Sequence, residues 1–212
     1  MKKNNTSLYL TAIFAVALLI GVGYAVLSAT LNINGQTTIS KASWDVHFEN
    51  VATNDSTAIK FYAANDTSFS NALTNIASLS GTTLNYTVNL TGPDSTPQTT
   101  HDMTADIVNN GTIDATISTA TLPTEASFNA PDVSPTNAVT VLTRMMTVKC
   151  TYDNGTEIKS GDVIKAGASK TIICKHHYKS ASELTQNDLN YWNSVGSSAS
   201  GSLSLTLNFY AK

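Results

Sequence analysis

A period of two runs through most of this 212-residue chain. Leu84, Tyr86, Val88 and Leu90 alternate with Asn85, Thr87 and Asn89, and Leu203, Leu205, Leu207 and Phe209 alternate with Ser204, Thr206 and Asn208. Successive side chains of a strand point to opposite faces, so each run has one apolar and one wet face, a pattern that a 3.6-residue helical repeat cannot satisfy. The same alternation recurs at Leu27, Ala29, Leu31 and Ile33, and at Trp44, Val46 and Phe48, which read as an aromatic wall facing a core. Shorter or longer strand patterns occupy 58–63, 139–152 and 170–178. Residues 103–108 and 112–117 flank Asn109-Asn110-Gly111, read as the tight turn of a hairpin because Asn and Gly tolerate positive φ.

Turn residues punctuate these runs at Asn54-Asp55-Ser56, Gly92-Pro93-Asp94, Asp153-Asn154-Gly155, Gly161-Asp162 and Ala166-Gly167. Pro123, Pro131 and Pro135 mark a long connection, placed over an edge or between sheets and read also as a point of subdivision. The polar stretch 65–83 has room for one helical turn. Only 180–191 reads as a helix, with Ser180 and Glu183 as a capping box and Leu184, Leu189 and Trp192 near one face. About eight to ten short strands with regularly spaced turns and a single helix point to an all-β fold, a β-sandwich.

The N-terminus constrains where such a sandwich works. Lys2 and Lys3 precede an uncharged apolar run from Leu8 to about Val22, followed by Gly23-Tyr24-Ala25. This is the layout of a signal peptide over residues 1–25, with cleavage after Ala25 and a weaker site after Ser28, leaving 26–212 as the sandwich domain. Retention as a membrane anchor is the competing reading, since 8–27 approaches the ~20 residues of a membrane span. Contact with the membrane is expected only through this segment. Cys150 and Cys174 lie at the ends of two predicted strands that the intervening turns can bring side by side, and an exported chain lets a disulfide persist; the alternative is two small buried hydrophobes.

Charged residues make up only 13% of the chain and the net charge is -3, which leaves no basic surface for nucleic acid. His47 and His101 stand alone, while His176 and His177 are adjacent on a strand and point to opposite faces, so they read as surface histidines. No H-E-x-x-H, Cys-x-x-Cys, G-x-S-x-G or phosphate-loop pattern is present. Asp102, Asp106 and Asp114 fall on the hairpin strands, outside any clustered calcium loop. Neither a cofactor nor catalysis is expected.

The signal's end, Leu18-Leu19-Ile20-Gly21-Val22-Gly23-Tyr24-Ala25, with the short apolar strand after it, and the run Asp106-Ile107-Val108-Asn109-Asn110-Gly111-Thr112-Ile113-Asp114-Ala115 resemble the TasA and camelysin group of Gram-positive secreted proteins with SipW-type signal peptides. The resemblance implies a jelly-roll-like sandwich, exported to the cell surface or extracellular matrix. There it self-associates into biofilm fibres by donating an N-terminal strand, here Leu27, Ala29, Leu31 and Ile33, to the next subunit. Its expected partners are further copies or other surface proteins, and a signal peptidase during export. The same four residues could instead close the chain's own sheet. The resemblance also carries a peptidase label, for which no zinc or nucleophile set is found. A surface adhesin or glycan-binding module is the alternative function, with Tyr191 and Trp192 as surface aromatics; Trp192 packed onto the sandwich would count instead as core.

Overall fold

The computed structural model describes residues 15–18, 42–74, 81–90, 100–129, 138–180, 182–195 and 198–211. The chain divides into two compact units, 1–41 and 42–212. In the first, residues 15–18 form a helical turn; Ala25 and the strand pattern Leu27, Ala29, Leu31 and Ile33 lie outside the described residues.

The second unit is all-β. Nine described strands, β1 (Val46–Thr53), β2 (Ile59–Tyr62), β3 (Thr83–Leu90), β4 (Thr100–Asn109), β5 (Ala115–Thr121), β6 (Met146–Tyr152), β7 (Val163–Ile164), β8 (Ser169–Tyr178) and β9 (Ala199–Ala211), make two antiparallel sheets. One has the order β1-β4-β8-β6 and the other β2-β3-β9-β5-β7. The apolar positions of the alternating runs interdigitate between them. Phe48, Met103, Ile107, Ile172 and Cys174 from the first sheet and Ile59, Tyr86, Val88, Ile117 and Leu205 from the second are all buried. On β3 the wet face is buried too. The return of the chain after β2 covers it: Asn85 Nδ2 donates to the carbonyls of Ala63 and Ala64, and Tyr62 packs edge-on against Phe69. In the stretch read as 65–83, the described residues up to 74 form turns and bends without a helix.

Three local expectations are corrected. Asn109-Asn110-Gly111 does not close a hairpin, because β4 and β5 belong to different sheets and the segment is the corner between them. Neither asparagine adopts positive φ. Asn109 is instead buried and bonds through Nδ2 to the Ile113 and Ile164 carbonyls, while its Oδ1 accepts the Gly111 N–H. Glycine is required at 111 by close approach, since a Cβ there would sit 2.6 Å from the Ser43 carbonyl oxygen. Residues 139–152 are likewise not one strand: α1 (Ala138–Met145) runs directly into β6. Its buried residues Ala138, Val141, Leu142 and Met145 follow the i, i+3, i+4, i+7 spacing of a helix. Trp44 is 47% exposed and precedes β1, so the aromatic wall reduces to Phe48.

The proline-marked connection does lead from one sheet to the other, but it does not subdivide the fold. The strands after it, β6 to β9, enter the same two sheets as those before it. The helix read at 180–191 starts later, as α2 (Gln186–Val195). Ser180 and Glu183 do bond to each other at 2.7 and 2.8 Å, but they close a turn ahead of the helix. The cap is Thr185: its Oγ1 accepts the Asp188 N–H at 3.3 Å, and Asp188 Oδ2 accepts the Thr185 N–H at 2.8 Å.

Candidate interaction edge and the polar seam behind it

A sheet edge is a row of backbone groups ready to pair with another chain, so folded proteins blunt their edges. Among the described residues, three of the four edges are blunted. β1 is broken by a bulge between Glu49 and Ala52, where Asn50 has φ 51°, and its Phe48 N–H is taken by the Gly81 carbonyl at 2.8 Å. β2 has four residues and is covered by the returning chain, which bridges at Tyr62–Ala72 and donates the Leu73 N–H to the Phe61 carbonyl. β7 has two residues.

β6 differs. It pairs with β8 along seven residues, Met146 to Tyr152. Among the described residues, its other side meets backbone only at one end, where the Thr151–Glu157 bridge forms and Tyr152 donates its N–H to the Thr156 carbonyl at 2.9 Å. Backbone groups of a paired strand point left and right with a period of two, so the N–H groups of Cys150 and Val148 point to the same open side as that of Tyr152. That side is a groove of about 420 Å³. Leu122 and Pro123, just past β5, form its apolar wall, and Val148, Lys149, Cys150 and Thr151 form the strand along it. Cys150 and Cys174 stand opposite each other in the β6–β8 register and are joined by a disulfide. Both lie within their strands and not at the strand ends.

Behind this edge lies a buried polar seam. His176 on β8 is fully buried, Nδ1 2.8 Å from the His101 carbonyl and Nε2 2.9 Å from the Tyr86 hydroxyl on β3. The carbonyl can only accept, so Nδ1 carries the proton and Nε2 accepts from the phenol. Burial outweighs the help of the carbonyl and lowers the His176 pKa to about 4, and burial alone raises that of Tyr86. Tyr178 crosses the sandwich in the same way, donating its hydroxyl to the Asn89 carbonyl at 3.0 Å. Its ring lies 4.7 Å from that of His101. His101 Nδ1 is 3.0 Å from Asp55 Oδ2 without making a hydrogen bond. These histidines are not surface residues. The period of two already placed His176 in phase with Ile172, Cys174 and Tyr178.

Other candidate residues scatter. His47, flanked on its own strand face by Asp45 and Glu49 at 2.8 Å each, has a raised pKa, chiefly from its bond to Glu49. Asp106 accepts from Thr171 and Asn50, and Asp114 pairs with Lys165 and the Ala166 N–H. Asp102 lies on β4, two residues past its start. Among the described residues, no three His, Cys, Asp or Glu side chains gather to hold a metal ion. Trp192 is buried and belongs to the core, a correction of its reading as a surface aromatic. Tyr191 is partly buried beneath Arg144, whose guanidinium lies 4.7 Å from the ring centre. A second cleft of about 280 Å³ beside Tyr152 is polar. There the phenol donates to Asp162 at 3.0 Å and Lys170 lies 4.8 Å over the ring.

No family model matches the chain, and no match to it is found among the curated proteins or the solved structures.

Proposed function

We propose that this chain is a structural subunit of a bacterial surface or extracellular assembly, joined when residues 26–33 of one copy add as a strand to the β6 edge of the next. The observation that carries this reading is that, among the described residues, the β6 edge is left open before the Thr151–Glu157 bridge and faces an apolar-walled groove. The sequence supplies a fitting occupant, an alternating segment placed at a free chain end by cleavage after Ala25. Backbone bonds to the N–H groups of Val148 and Cys150 would give affinity. Leu27, Ala29, Leu31 and Ile33, all on one face, would continue the inner layer toward Leu122 and Pro123. The connections cross between the sheets at every step after β3, which supports the jelly-roll-like reading. Export and surface localisation rest on the layout of residues 1–25.

Size-exclusion of the chain starting at Val26 tests the reading. Large assemblies are expected, collapsing to monomers when 26–33 is deleted or when Val148→Pro removes one groove-facing N–H. A strictly monomeric starting chain would overturn it. The alternative as a glycan-binding module loses Trp192 to the core.

A further inference from the structure

We infer that the Cys150–Cys174 disulfide and strand addition at the β6 edge control one another; this rests on the function proposed above. The disulfide is the only described side-chain covalent tie between the edge strand and the rest of its sheet, and one of its two cysteines, Cys150, lines the acceptor groove. Its two cysteines differ in their surroundings. Cys174 is fully buried, whereas Cys150 is slightly exposed and lines the groove. A strand added in the groove would lie over Cys150, the member of the pair that lines it.

The chemistry is ordinary thiol–disulfide exchange with an external dithiol. Its thiolate attacks Cys150 Sγ, the protein S–S bond breaks, and Cys174 leaves as a thiolate. The second thiol of the reductant then displaces Cys150, so that the protein gains two electrons and two protons as two thiols and the reductant leaves as a disulfide. After reduction β6 keeps its ladder to β8 but loses the tie that holds an edge strand in one register, and the acceptor becomes less ordered. Linkage makes the effect reciprocal: whatever favours the oxidised form for strand binding also makes the occupied groove protect the disulfide.

The test uses the full chain carrying Leu27→Asp and Leu31→Asp, so that its own segment cannot occupy the groove, and a synthetic peptide of sequence 26–33 as the probe. Because a bound strand covers Cys150, saturating peptide is expected to slow reduction of the disulfide by dithiothreitol, followed by thiol labelling, by about tenfold, and the reduced protein is expected to bind the peptide about tenfold more weakly. The reduction-rate arm uses only oxidised protein, so it stands even if the reduced chain unfolds. Peptide that binds the oxidised protein yet leaves the reduction rate unchanged would overturn the coupling while sparing the assembly reading. Peptide that binds neither form would overturn both.

Discussion

At Nδ1 the His176 ring meets a carbonyl that can only accept, and at Nε2 a phenol that is donating. An added proton at Nε2 would turn the phenol's O–H away from its acceptor inside the buried layer, and burial already lowers the pKa from 6.5 to about 4. The unfolded chain therefore binds this proton more readily than the folded one. Stability is full above 6.5 and falls as the pH drops towards 4, by about 3 kcal/mol in total. His47 acts with the opposite sign, because its raised pKa adds stability below 6.5 that is lost as the pH rises through the raised value. The lowered carboxylates Asp55 and Asp188 release their share only at lower pH. Urea midpoints between pH 7 and 4.5 should thus fall in the wild type and stay nearly flat in His176→Phe. Tyr86→Phe should cost about 1–3 kcal/mol at pH 7, because it strands a buried acceptor.

Among the elements, α1 owes its seat to one missing side chain on β9. A Cβ at Gly201 would overlap Leu142 Cδ1 and come within 2.8 Å of Phe128 Cδ1. Gly201→Ala should therefore push α1 and the segment at Phe128 off the sheet and destabilise the fold by about 1–3 kcal/mol, the usual cost of overfilling a packed core. A thermal melt reads it directly; an unchanged midpoint would show that the helix is not seated through Leu142. The same helix shows where sequence reasoning failed. Val139, Val141, Thr140 and Thr143 favour a strand, but burial at 138, 141, 142 and 145 follows a helical stripe, and packing against β9 overrode the β-branched residues. Alternation was legible for β3, β8 and β9 because each has a single continuous apolar face. Pairing was not, since Asn-Asn-Gly suits a hairpin and a sheet-crossing corner equally, and the choice was made by partners distant in sequence, Ile164 and Ser43. The open β6 edge was illegible for the same reason: edge position depends on strand order.

For the whole molecule, the proposed addition of residues 26–33 to another copy competes with closure of the chain's own sheet, and stability distinguishes the two proposals. Residues 42–212 form a compact unit with both sheets and the core within it. Were 26–33 to close the same chain's sheet, its three larger apolar residues, Leu27, Leu31 and Ile33, would each contribute about 1.5–3 kcal/mol on burial. Removing the segment would then lower the melting temperature by the same amount at every protein concentration. Strand donation gives another result. A partner that binds only the folded state adds stability that grows with its concentration, so the chain starting at Val26 should melt higher as it is concentrated. A chain of residues 42–212 should melt at one temperature throughout, equal to the dilute limit of the longer chain. Differential scanning calorimetry of both chains over a hundredfold concentration range makes this comparison. A melting temperature of the longer chain that is higher yet independent of concentration would assign the strand to its own sandwich and leave the β6 groove without this occupant.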